Sequence, residues 1–286
     1  MENFFIPAED FDLELTMTCG QTFCWHRMEG ELYGSGSDRF YTFRDGKPLV
    51  VEQEGDRLFV ESELSRGEVE KALGLHRDLE TVFETFPDDS RLEEAKQELW
   101  GLRVVQDEFF PCLISYLCSP QMRIPRIKKM HDNIARSYGG VEKVGGRELL
   151  RFPAAEELSR VTEEELRELG VGYRAEYIVE TVRMLQDGFE PAEIRDMDYP
   201  EARKKLKELH GVGDKVADCV LLFSLGFEEA YPIDTWAQKA VEKHYPEHHS
   251  SSYDDTIENL QGYFGEYAGW AQEYIFHAAR NGIIEV

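Results

Sequence analysis

Short runs that alternate apolar and polar residues fill the first sixty positions. Phe11 to Met17 (FDLELTM) has the period of two of a half-buried strand. Similar pieces follow at Gln21–Met28, Arg39–Arg44, Pro48–Glu52 and Arg57–Glu61, separated by glycine and aspartate, and together they predict an antiparallel sheet. A helical stretch from Arg66 to about Thr85 is expected to cover one face. The acidic run Pro87–Glu98 then leads into a remainder that reads as helix, with no internal repeat. The pattern gives an α+β chain: residues 1–99 as the sheet domain with covering helices, and residues 100–286 as a helical region.

One helical stretch departs from ordinary patterning. Glu201 to Trp236 reads as a basic amphipathic helix, then Gly211-Val212-Gly213, then a second helix begun by Asp214 and Lys215 and ending near Gly226, then Pro232-Ile233-Asp234. Two glycines flanking one residue let a turn bring its amides close to a bound group, because no Cβ intervenes. Such a loop feeding a helix N-terminus suits a DNA phosphate. Asp214 is expected to cap the second helix. Lys215 then lies in the first turn, where the macrodipole disfavours a cation and, with apolar neighbours, lowers the amine pKa toward the neutral nucleophile. Nineteen residues on, Asp234 supplies a carboxylate after a proline that fixes the chain direction. Taken singly, Lys215 also fits a surface lysine, and Asp234 a plain cap of the helix Thr235 to Tyr245.

Composition alters the picture in two ways. There are 32 basic and 57 acidic side chains, a net charge of −25, which repels nucleic acid at long range. The charge is uneven, however: residues 1–100 hold 10 basic against 24 acidic side chains, whereas Gln121–Arg136 holds Arg123, Arg126, Lys128, Lys129 and Arg136 against Asp132 alone. Positive islands on an acidic body fit a salt-rich cytosol, where the Debye length shrinks to about 3 Å near 1 M salt. Cysteines 19, 24, 112, 118 and 219 form no C-x-x-C pair or zinc pattern, and their scatter points to reduced thiols. The polar segment His244 to Asp255 offers no helical face with three ligands and reads as a solvated loop. The acidic N-terminus broken by Pro7 is no signal peptide, and no apolar run reaches membrane length.

Six motifs in order carry a resemblance. Cys19-Gly20-Gln21-Thr22-Phe23-Cys24-Trp25, Cys118-Ser119-Pro120-Gln121-Met122-Arg123-Ile124-Pro125-Arg126, Leu169-Gly170-Val171-Gly172-Tyr173-Arg174-Ala175, Leu209 to Lys215, Pro232-Ile233-Asp234 and Gly269-Trp270-Ala271-Gln272 resemble those of the 8-oxoguanine DNA glycosylase/AP lyase family, within the helix-hairpin-helix DNA glycosylases. The resemblance implies an N-terminal antiparallel sheet, like that of TATA-binding protein, packed on a helical hairpin bundle. It implies Lys215 and Asp234 as the catalytic pair. The lesion pocket would be formed by Gly20, Cys219, Pro232, Gln272 and Phe276. Contacts to DNA are implied for Gln121, Arg126, Tyr173, Arg174, Gly211, Val212 and Gly213, and a monovalent cation at the carbonyls of Lys207, Leu209 and Val212.

Gly20 has a chemical reason. Guanine N7 accepts a hydrogen bond, whereas 8-oxoguanine carries a hydrogen there, so a close backbone carbonyl welcomes the lesion and opposes guanine. Gln272 and Phe276, at i and i+4, share one helix face, where an amide reads a base edge and a ring stacks on it. Three departures stand out: Gln121 replaces an asparagine, Trp236 a histidine and Ala279 an aspartate. The partner implied is double-stranded DNA containing 8-oxoguanine opposite cytosine, handled by a monomer with no membrane association and with no catalytic metal or organic cofactor. No cysteine follows Cys219, so the iron-sulfur cluster of some hairpin glycosylases is not expected. An archaeal or bacterial source and a cytoplasmic, nucleoid-associated location are expected, nuclear only for a eukaryotic source. Two other readings remain open: an alkylpurine glycosylase, and a non-catalytic hairpin module that clamps DNA.

Overall fold

In the computed structural model, which describes all of residues 1–286, five antiparallel strands make the N-terminal sheet. They are β1 (Glu2–Pro7), β2 (His26–Arg27), β3 (Arg39–Arg44), β4 (Lys47–Gln53) and β5 (Arg57–Ser62), in the order β1-β5-β4-β3-β2. The three central strands fall where alternation placed them. The stretch FDLELTM does not form a strand: Asp12 accepts the Leu15 N–H at 2.8 Å and starts helix α1 (Leu13–Thr18). Its buried residues Leu13, Thr16 and Met17 are at helical spacing, and seven residues are too few to separate the two periods. The edge strand β1 is an element that the alternation did not reveal.

Most of Gln21–Met28 is irregular because Gln21 to Trp25 are all buried, so there is no outer face. Its backbone is anchored by the Gln21 amide, which donates to the Arg103 carbonyl at 2.7 Å and accepts from the Val105 N–H at 2.9 Å. The predicted covering helix is two helices, α2 (Arg66–Ala72) and α3 (Leu79–Glu84), the second begun by Asp78 capping Thr81 at 2.8 Å. With α4 (Ser90–Leu99), α3 leaves the sheet. Leu79 and Val82 join the core of the helical region, while Leu92, Ala95 and Leu99 pack with Phe264 and Tyr274. Residues 1–99 are therefore divided by packing between sheet and bundle.

The bundle continues with α5 (Phe109–Leu117) and α6 (Ile124–Tyr138), joined by the segment 118–123. A β-hairpin absent from the sequence reading follows, β6 (Gly140–Val144) and β7 (Arg147–Arg151), turning at Gly145-Gly146 and packing Leu149 against Tyr41 and Val50. Then come α7 (Glu163–Glu168), α8 (Arg174–Gln186), α9 (Pro191–Ile194), α10 (Tyr199–Leu206), α11 (Asp214–Val220), α12 (Thr235–His244), α13 (Tyr253–Phe264) and α14 (Ala268–Asn281). Helix α11 runs into a π-helical turn, Leu221–Leu225, closed by Gly226 in the left-handed region; such turns frequently accompany functional sites. No helix is long and apolar enough to cross a membrane.

Candidate active site and nucleic-acid interface

Helix α10, the turn 207–213 and α11 form the hairpin that the glycines suggested. Gly211 is required because its φ is +82° and a Cβ would meet the Tyr177 ring at 2.3 Å. Asp214 is not the cap. Gly213 holds that position without a side-chain bond, and Asp214 instead pairs with Arg203 (2.8 Å) and Lys207. Lys215 follows in the first turn, half-buried, with Nζ donating to Ser119 Oγ at 3.1 Å and lying 4.9 Å from the centre of the Tyr116 ring. No carboxylate forms an ion pair with this amine. Asp234 caps α12 through Oδ1, which accepts the Trp236 and Ala237 N–H groups at 2.9 and 2.8 Å. Asp234 is therefore a helix cap, as its position alone suggests, and it also lines the same cleft as Lys215.

That cleft, about 1160 Å³, gathers all seven residues expected at the reaction centre and lesion pocket: Lys215, Asp234, Gly20, Cys219, Pro232, Gln272 and Phe276. Burial pushes the Cys219 thiol up to about 12 despite Lys215 beside it, so this group stays protonated and serves as a soft wall. Gln272 is buried with Oε1 unpartnered, an uncommon state for a buried amide oxygen. Phe276 presents the next turn of the same face.

Opposite α14 lies the Cys19–Thr22 loop. The carbonyl of Cys19 accepts from Arg280 and from His277 Nδ1 (3.2 Å), that of Gln21 from the Tyr116 hydroxyl (2.6 Å), and that of Thr22 from the Tyr33 hydroxyl. Gly20 alone keeps a carbonyl without a protein partner. With φ at +114° any side chain here is strained, and Ile124 Cδ1 and Arg280 Nη1, 2.5 and 2.6 Å from where a Cβ would be, would have to move aside.

The residues expected to contact DNA lie beside the cleft. Gln121 is exposed on the α5–α6 connection in the left-handed region, φ +58°. Arg126 reaches the Gly170 carbonyl at 3.5 Å, exposed Tyr173 packs edge-on against Tyr177, and Tyr177 packs on His210 beside Gly211, Val212 and Gly213. Arg174 differs from the expectation. It is buried, donating to the Pro120 and Val171 carbonyls, so it braces the Gln121 segment rather than facing outward. The positive island is also smaller than its sequence count. Lys128 is buried against Asp132 and 3.1 Å from His26 Nδ1, filling the centre of the His26, His131 and Asp132 cluster, whereas Arg123, Arg126 and Lys129 are exposed without ion pairs. In the hairpin turn, the Leu209 carbonyl accepts the Val212 N–H at 3.1 Å, and those of Lys207 and Val212 have no protein partner. This donor set fits a monovalent cation.

Sequence reasoning missed Ser119, Tyr116, Glu273, His277 and Arg280. Ser119 adjoins the Pro120-Gln121 motif. For Glu273 the available signal was a second polar side chain directly after Gln272, on a helix otherwise rich in alanine and aromatic residues. The Trp236 ring lines the cleft, with Lys239 Nζ 4.8 Å from its centre, and Ala279 is buried.

Residues 3–113 match the model described as 8-oxoguanine DNA glycosylase, N-terminal domain, and residues 114–266 that described as HhH-GPD superfamily base excision DNA repair protein. A "Probable N-glycosylase/DNA lyase" of Methanothermobacter thermautotrophicus is 32% identical, the alignment covering 98% of this chain and 97% of that protein. The N-glycosylase/DNA lyase of Arabidopsis thaliana is 39% identical over 66% of this chain and 55% of its own length. Among solved structures, the Clostridium acetobutylicum 8-oxoguanine glycosylase/lyase, in complex with double-stranded DNA containing cytosine opposite 8-oxoguanine, superposes with a TM-score of 0.84 at 28% identity, covering 98% of this chain and 99% of the other.

Proposed function

This chain belongs to the 8-oxoguanine DNA glycosylase/AP lyase family of helix-hairpin-helix base-excision proteins, and from that premise we propose that it flips 8-oxoguanine out of duplex DNA, opposite cytosine, excises it and cleaves the resulting abasic site. The observation that carries this reading is the convergence, in one cleft, of an amine free of any carboxylate partner, the unpartnered Gly20 carbonyl and the unpartnered Gln272 oxygen. A monomer is proposed as the acting unit.

In this mechanism the flipped base lies between Phe276 and Cys219. The Gly20 carbonyl accepts its N7–H, the Pro232 carbonyl adds a further acceptor, and Gln272 reads its pairing edge. Lys215 Nζ forms a bond to C1′ as the C1′–N9 bond breaks and the purine leaves with the electron pair, taking up a proton. The Asp234 charge stabilises the positive charge that develops on the sugar. The Nζ proton passes to O4′ as the C1′–O4′ bond breaks and the sugar ring opens, leaving an iminium at C1′; this loses a C2′ proton, and the C3′–O bond breaks so that the phosphate leaves with the electron pair. Gln121 fills the vacated stack, Arg126 and Tyr173 hold the partner strand, and Arg174 supports that segment from beneath. The Lys207, Leu209 and Val212 carbonyls would hold a monovalent cation, whose charge would draw a DNA phosphate to the Gly211–Gly213 amides.

Borohydride trapping tests this directly, on duplex DNA with one 8-oxoguanine opposite cytosine, beside undamaged duplex and the Lys215→Gln protein. A covalent adduct formed only by the lesion and the wild-type lysine is expected. Release of alkylated but not oxidised purine would replace this reading with an alkylpurine glycosylase. DNA binding with neither base release nor adduct would replace it with a binding module.

A further inference from the structure

One face of α14 reaches past the pocket and takes hold of a single residue opposite. Glu273, His277 and Arg280 stand at i, i+4 and i+7, so their side chains share that face. Arg280 Nη1 and His277 Nδ1 both donate to the Cys19 carbonyl, while the Glu273 carboxyl lies against the Cys19 thiol. His277 is fixed in the tautomer this needs, because Asn281 Nδ2 donates to its Nε2 at 2.8 Å and leaves the proton on Nδ1. Burial holds that ring neutral, with its pKa near 4.

The consequence falls on the next peptide. The Cys19 carbonyl and thiol are occupied, and the Gln21 and Thr22 carbonyls are tied down by Tyr116 and Tyr33, so the Gly20 carbonyl is the one carbonyl of the loop left free. The Arg280 Nη1 lies beside Gly20, 2.6 Å from where a Cβ would stand, and its guanidinium is 5.7 Å from the centre of the Phe276 ring at the edge of the pocket. We infer that Arg280, with His277 and Glu273, is the positioning device that aims the Gly20 carbonyl at the purine N7 position and so sets the preference of this chain for a base bearing N7–H over guanine. These residues act through Gly20, not on the reacting atoms. The inference rests on the function proposed above, since it assigns the origin of selectivity within that same pocket.

The test measures duplex affinity in the Lys215→Gln background, where the lesion is bound but not cut. Three duplexes are compared: 8-oxoguanine, guanine, and 7-deaza-8-oxoguanine, in which a CH2 group replaces N7–H. Arg280→Met should weaken binding of 8-oxoguanine about tenfold, the scale of one buried hydrogen bond, and change the other two less than about twofold. Arg280→Lys, which retains a donor, should recover most of the loss. Equal weakening of all three duplexes would make Arg280 a general DNA contact and overturn the inference. Should Arg280→Met fail to fold, His277→Leu removes the second donor and is judged by the same three affinities. If the Lys215→Gln parent itself shows no preference for 8-oxoguanine over guanine, it is the proposed function that fails.

Discussion

Two buried carboxyl groups, on the helices that carry Lys215 and Gln272, have opposite surroundings. Asp218, three residues after Lys215 on α11, turns toward α10 and α13 and accepts from Tyr199 (2.7 Å), Arg203 (3.0 Å) and Tyr253 (2.8 Å). Glu273, on the cleft side, keeps Oε1 without any partner. The Asp218 side of the hairpin is thus a completed network. Through the Tyr253 hydroxyl, which accepts the Ile233 N–H at 3.1 Å, it fixes the segment that carries Asp234. On the cleft side, Glu273 Oε1, Gln272 Oε1 and the Gly20 carbonyl have no protein partner. The difference separates what holds the site from what the site holds: satisfied polar groups rigidify, and unsatisfied ones mark where a ligand completes the structure.

The largest effects should divide along that line. Lys215→Gln is expected to lower excision by on the order of 10⁴ or more, as loss of a nucleophile does, while the thermal midpoint stays within about 2 °C. Single-turnover base release and calorimetry on the same preparation check both halves. Asp218→Ala should do the reverse in kind. It leaves Arg203 Nε and the Tyr199 and Tyr253 hydroxyls without their shared acceptor, while Asp214 and Asp254 keep the rest of the guanidinium paired, at a cost of about 1–3 kcal/mol, so the midpoint falls by roughly 5 °C. A stable Asp218→Ala protein with altered excision alone would erase the distinction.

Titration sharpens it next. Burial raises the Glu273 carboxyl to about 8 and Asp218 to about 6. Both values lie above the unfolded range, so between the unfolded and folded values the native state binds more protons than the unfolded chain. The stability each group contributes is whole below pH 4 and is lost as pH rises through its folded value. Between pH 6 and 8 Glu273 still titrates while Asp218 is largely ionised, and one such group contributes a slope of up to about 1.4 kcal/mol per pH unit. Urea unfolding of Glu273→Gln across this window should give a flatter curve than wild type, and an unchanged slope would contradict the assignment.

The satisfied half was hard to read in the sequence, and the reactive half was not. Lys215, Asp234, Gly20, Gln272 and Phe276 are conspicuous because each breaks a local rule or sits at a fixed offset: a cation in a first helical turn, a glycine where a side chain is excluded, an amide on a buried face. The Tyr199–Arg203–Asp218–Tyr253 network joins positions up to 54 residues apart in ordinary helical patterning, and nothing local foretells it. The same holds for Arg174, whose motif suggests an outward contact while its guanidinium is needed under Pro120. Strand alternation found β3, β4 and β5. It misassigned α1, where Asp12 makes a cap, and passed over the β6–β7 hairpin, where only Gly145-Gly146 hinted at a turn.

The smallest expected effect concerns backbone strain, which lies on the cleft side at Gln121. A non-glycine residue at φ +58° is held against its preference, and asparagine enters that region several-fold more readily than most residues. Gln121→Asn should therefore stabilise the free protein, by about 0.5 kcal/mol, if the segment keeps its conformation under the Arg174 brace. The shorter side chain also reaches less far into the space left by a flipped base, so the ratio of excision opposite cytosine to excision opposite adenine should change while abasic-site cleavage does not. Urea unfolding reads the first effect, and parallel assays on the two pairings read the second. A gain in stability with no change in that ratio would reduce Gln121 to a strained turn residue and remove it from the reading of the opposite base.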